Sequence, residues 1–161
     1  MKADFMEKNH VIHVAPSSAI AANEDIYNGG IASDVVSLAN ASGAVFIIAQ
    51  NANGSGGNAT VEVLACSDVT PTTTTAISFL YREITSPNTC GAITETKGFA
   101  TSTAADMVYV VEVDAQTLAA SGYKYCQLRC TEKTNQAVDG GVVGFLTGMK
   151  YAQDVPPTQV V

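Results

Sequence analysis

The residues able to do chemistry are few, and their spacing decides what they could do. The histidines are His10 and His13, both in the first stretch of the chain. A Cys–His or Ser–His pair needs a base held rigidly by a third group, and an N-terminal arm is a poor place for one. The expectation is that His10 and His13 are solvated or touch a partner. Cysteines stand at positions 66, 90, 126 and 130. On a strand, Cys126 and Cys130 would lie about 13 Å apart, too far to share one zinc ion, whose thiolates sit about 4 Å from each other, or to bridge directly. Both are expected as small buried hydrophobes. Cys66 and Cys90 fall where strands meet loops, in "ACSDV" and "NTCGA", and are the pair expected to be able to form a disulfide. The string "NGSGG" lacks the Lys-Ser/Thr of a phosphate loop and is not followed by a helical pattern. Glu62 and Glu112 are expected on solvated strand faces. Asn40-Ala-Ser, Asn53-Gly-Ser and Asn58-Ala-Thr match the glycosylation pattern but carry little weight without a secretory signal. None of this amounts to an active site, and the expectation is a non-enzyme with no cofactor and no metal.

Composition narrows the partners. The chain has 161 residues, 47% of them hydrophobic and 14% charged, which suits one globular domain. A formal charge of −7 argues against nucleic acid and against anionic membrane surfaces. The longest apolar run, "AVFIIA", is too short to span a bilayer. Asp4 and Glu7 stand where a signal peptide would carry basic and then apolar residues. The expectation is an uncleaved extended arm over residues 1–20 and a product that folds in a cytoplasm, where cysteines begin as thiols.

The elements that must hold these residues read as strands. Helical periodicity is nearly absent, and apolar runs are separated by turn residues, which is the pattern of an all-β sandwich or barrel. Candidate strands are "SDVVSL" (33–38), "GAVFIIAQ" (43–50), "TVEVLACS" (60–67), "AISFLYREI" (76–84), "TKGFATS" (96–102), "MVYVVEVD" (107–114), "YKYCQLRCT" (123–131) and "GGVVGFLTGMKYA" (140–152). "NANGSGGNA" (51–59) is expected to close a hairpin, because Gly and Asn tolerate positive φ. "DAQTLAASG" carries a helix start at Asp114 and a stop at Gly122. It predicts one short helical turn crossing the end of a sandwich. Alternation places Tyr109, Val111 and Val113 on one face and Val110 and Glu112 on the other. Cys126, Leu128 and Cys130 should face the core. Tyr123, Tyr125, Gln127 and Arg129 should form a polar, aromatic outer face of the kind that makes protein contacts. The sandwich is expected over residues 21–153, with 154–161 a proline-containing tail.

Taken in order, Gly29-Gly30 with "SDVVSL", "GAVFIIAQNANGSGGNATVEVLACSD", "AISFLYREI", "VYVVEVDAQTLAASGYKYCQLRCTE" and "GGVVGFLTGMKYAQ" resemble small structural proteins of tailed bacteriophages, head decoration (cement) proteins in particular. The resemblance is one of strand and turn pattern over roughly residues 20–153. It implies a jelly-roll-like β-sandwich, made in the host cytoplasm, that sits on the outer capsid surface of the virion and bridges major capsid protein subunits, as a trimer. It brings no catalytic residues. Alternatives are another virion part, such as a tail-tube or head–tail connector protein, and a carbohydrate-binding β-sandwich module. The lack of tryptophan and the 7% aromatic content weaken the last.

Overall fold

A computed structural model describes residues 4–12, 14, 25–51, 56–150 and 158–159. The elements in chain order are α1 (Asp4–Lys8), β1 (Asn9–Ile12), β2 (Ile31–Ala32), β3 (Val35–Ser37), β4 (Gly43–Asn51), β5 (Asn58–Cys66), β6 (Thr74–Ile77), β7 (Phe79–Thr85), β8 (Thr89–Cys90), β9 (Thr94–Thr96), β10 (Phe99–Ala100), β11 (Met107–Asp114), α2 (Ala115–Ala120), β12 (Tyr125–Thr134), β13 (Asp139–Thr147) and β14 (Thr158–Gln159). They form two antiparallel sheets packed face to face. The first runs β1-β13-β4-β11-β7-β8, with β9 also on β7. The second runs β10-β5-β12-β3-β14, with β2 on β12 and β6 on β5.

The order is that of a jelly roll. If β1, β3, β4, β5, β6, β11, β12 and β13 are numbered one to eight, one sheet contains 1-8-3-6 and the other 2-7-4-5. The nested pairs 1·8, 2·7, 3·6 and 4·5 are all antiparallel. β7 is inserted between the fifth and sixth of these strands and extends the first sheet beyond β11.

The core lies where alternation put it. Tyr109, Val111 and Val113 of β11 meet Cys126, Leu128 and Cys130 of β12 across the sandwich, all fully buried or nearly so. Phe46 and Ile48 of β4 and Val61 and Val63 of β5 fill the space between. Phe99 of β10 stacks on Tyr81 of β7 at 4.1 Å between ring centroids and leans on Tyr109, closing one edge. Gly144 of β13 gives the Phe46 ring its room: a Cβ there would come within 2.9 Å of the ring. α2 crosses the end of the sandwich as expected. The Asp114 carboxylate accepts from the N–H groups of Gln116 and Thr117, Leu118 is buried beneath the turn, and Gly122 leaves it at φ +84°.

Three expectations change. β4 and β5 lie in opposite sheets, so 51–59 joins the two layers instead of closing a hairpin. Turn chemistry permits a reversal without choosing the partner strand. "AISFLYREI" breaks at Ser78, leaving β6 in the second sheet and β7 in the first. The expected extended arm is also partly built into the domain. Asn9–Ile12 pair with Thr147–Gly144 of β13, and Ile12 and Val14 join the core. Without β1, β13 would present an unpaired edge, and Val11, Ile12 and Val14 supply apolar side chains to cover it. Residues 1–3, 13 and 15–20 of that arm lie outside the described residues. The tail expected not to pair centrally contributes Thr158–Gln159 at the rim of the second sheet, on β3.

Candidate functional site

The residues singled out from sequence are not gathered into one site. His10 sits on β1 opposite Leu146, half-buried at the sheet edge. His13 lies outside the described residues. The strip expected on β12 is already used within the chain. The Arg129 guanidinium pairs with the Glu62 carboxylate at 2.7 Å. Gln127 Nε2 donates to the Ser33 carbonyl at 2.8 Å. Tyr125 packs on Val35, Leu64 and Cys66 in a small cluster on the outer side of the second sheet. Tyr123 does not share their face. It packs against the main core, because the strand begins only at Tyr125 and the Tyr123 N–H still points back to the Leu118 carbonyl of α2. Alternation holds only where the strand exists.

The cysteines are free thiols. Cys66 is buried on β5 in the second sheet and Cys90 is exposed on β8 in the first, and the two are not bonded to each other. Burial pushes the Cys66 thiol up to about 11 from its usual 9.0, and that of Cys130 up to about 12. Cys126 is raised by burial as well, with the nearby Cys66 adding to it. Thiols held this far from ionisation are poor nucleophiles and poor metal ligands. Among the described residues no group of three or more His, Cys, Asp or Glu side chains could hold a metal ion.

The feature that stands out is the outer face of the first sheet. The pairing registers lay its side chains out in rows. One row runs Val11, Phe145, Val45, Glu112, Leu80. The next runs Val143, Ile47, Val110, Arg82. A third runs Gly141, Ala49, Val108, Ile84. The inner face of the same strands is the core, so the middles of β4 and β13 are apolar on both sides, as is β11 up to Glu112. Sheets with one face in water read hydrophobic-in, polar-out, and near-continuous apolar runs belong to strands covered on both faces. Here the outer side chains stay accessible: Val11 is 59% exposed, Leu80 41%, Val143 38% and Ile93, beside them, 60%. α1 covers one corner, where Phe5 meets Phe145 edge-on at 5.6 Å.

A shallow hollow of about 240 Å³ opens on this face between Leu80, Arg82, Ile84, Ile93, Val110 and Glu112. Arg82 Nε is buried there without a hydrogen-bond partner. A larger cleft of about 560 Å³ lies at one end of the sheet, against Ala49, Gln50, Ile84, Asn88, Asp106 and Met107. None of its described lining side chains is aromatic. Reading β11 alone gives only Val110 and Glu112 as its outer face. The missed signal was the lack of alternation in "AVFIIA" and "GGVVGFL", which alone distinguishes a sheet covered twice from one facing water.

Comparison of the chain with protein-family models, with curated proteins and with solved structures finds no match.

Proposed function

We propose that this protein is a structural component of a bacteriophage particle, a decoration protein that binds the outer surface of the major capsid lattice and stabilises it. The observation that carries this is the first sheet, apolar on both faces. A contiguous apolar surface marks a contact within a protein assembly, as a shell component needs, and the described residues leave it open apart from the corner under α1. The jelly-roll order is in keeping with a capsid component, since that fold serves in virus shells, although it also serves in lectins and cupins and does not decide function by itself. The acidic surface suits a protein that must not adhere to packaged DNA. A sugar-binding role is less well supported, because the cleft of about 560 Å³ offers aliphatic, carboxamide, hydroxyl and carboxylate groups without, among the described residues, an aromatic platform for a pyranose ring.

The test is sedimentation of phage heads lacking this protein, from the phage that encodes it, with the purified chain added. Saturable co-sedimentation, and heads that withstand more heat or chelator with the protein bound, are expected. A chain that stays in the supernatant at every ratio would remove the proposal.

A further inference from the structure

We infer that the outer face of the first sheet is where a second copy of this chain docks, two copies packing sheet on sheet about a two-fold axis. The inference rests on that face being a protein contact, as proposed above, and adds which protein covers it.

Size is the first ground. Five strands spaced about 4.8 Å apart, of four, nine, nine, eight and seven residues at about 3.4 Å each, make a face of roughly 600 Å². That is at the lower end of the roughly 600–1,000 Å² each partner contributes to a standard stable interface. Away from the corner under α1, the face is also low where β13 and β4 meet. A Cβ added at Gly141 meets nothing within 4 Å, and Ala49 beside it is small. The C-terminal strand β14 is held on the second sheet, on the other side of the sandwich, and so does not supply the cover.

Charge is the second ground, and it selects the partner. Two copies, each with a formal charge of −7, repel over most of their surfaces. The three central rows carry one cation, Arg82, and one anion, Glu112, with aliphatic side chains around them. These two sit on neighbouring strands, β7 and β11, one step diagonal in the register: Arg82 pairs with Val110 and Glu112 with Leu80. They are not joined within the chain. Arg82 Nε stays buried without a hydrogen-bond partner. Two positions on one face are exchanged by a two-fold axis lying in the interface between them. Packing about that axis brings each Arg82 to the other copy's Glu112, seats Val110 and Ile47 near the centre and closes the hollow beside Arg82. An isologous contact has to be self-complementary in this way. A face with one sign of charge could not be.

The experiment is the molar mass of the purified full chain by light scattering and sedimentation equilibrium at micromolar concentration, with circular dichroism confirming each variant folded. The wild-type chain should be a dimer. Arg82→Glu and Glu112→Arg should each weaken association by at least about 30-fold, the range for reversing one member of a desolvated charge pair. The double variant Arg82→Glu/Glu112→Arg should recover most of the loss. A wild-type monomer, a trimer, or single variants that dimerise like wild type would overturn the inference, as would a double variant no better than the singles. The two proposals fail separately. A monomer that still binds heads removes the two-fold pair alone, and a dimer that binds no head removes the decoration function alone.

Discussion

Replacing Gln50 by leucine should cost more than its position at the end of β4 suggests. Gln50 is 3% exposed and accepts the hydroxyl of Tyr27 at 2.8 Å, while its Nε2 donates to the Ser102 carbonyl at 2.6 Å. The Ser102 N–H in turn donates to the Tyr109 hydroxyl at 2.6 Å. One amide therefore joins the turn before β2, strand β4 of the first sheet and the loop between β10 and β11. Gln50→Leu leaves the buried Tyr27 hydroxyl and the part-buried Ser102 carbonyl without this partner. Each such group costs about 1–3 kcal/mol. Part of that is offset by the apolar side chain, so the net loss should be about 2–4 kcal/mol. With a urea slope near 2 kcal/mol per molar, the unfolding midpoint should fall by about 1–2 M, measured at one fixed protein concentration because self-association shifts it. Tyr27→Phe alone should cost about 1–2 kcal/mol, since it leaves the Gln50 oxygen without its donor. The double variant is the sharper check. The two groups meet each other, so Tyr27→Phe should add little to Gln50→Leu. Additive losses, or a Gln50→Leu midpoint within about 0.2 M of wild type, equivalent to roughly 0.4 kcal/mol on the same slope, would refute the network.

Leu128→Ala, at a side chain 1% exposed in the middle of the core, should cost about 2–5 kcal/mol; a loss under about 0.5 kcal/mol, typical of surface sites, would mean that β12 is out of register. Cys90 alone should react with an alkylating reagent in the native protein, and Cys66, Cys126 and Cys130 only after denaturant, as mass spectrometry would count directly. Stability should fall as pH rises from about 9 to 12. Burial raises the Tyr109 hydroxyl to about 12 from 10.0 and the Cys66 and Cys130 thiols above 9.0, with Tyr27 and Cys126 also raised. The unfolded chain therefore loses these protons first, and the stabilisation present below pH 9 is lost above it. A urea midpoint flat across that range would contradict the burial of these groups.

Local pattern carried the strands and one of the two layers. Tyr109, Val111, Val113, Cys126, Leu128 and Cys130 were legible because strict alternation fixes the inner face once a strand is assumed. Asp114 and Gly122 bracketed α2 because cap chemistry is local. What failed was non-local. No residue in 51–59 records that β4 and β5 belong to different sheets. Nothing in Asn9–Ile12 names β13 as a partner, since edge pairing is decided by which strand is left open. Tyr123 was misplaced by extending alternation two residues before its strand begins. The candidate face was hidden for a different reason. Its rows are assembled from β13, β4, β11 and β7, so the proximity of Arg82 to Glu112 exists only once their registers are known.

The most direct test of the proposed function is electron cryomicroscopy of the intact virus particles to which the proposal assigns this chain. The account predicts small β-sandwiches in two-fold pairs on the outer surface of the head, with the β1-β13-β4-β11-β7 faces of each pair buried against each other and the capsid subunits beneath the pair bridged. Density in the tail, particles without the protein, or that face turned to solvent would contradict it.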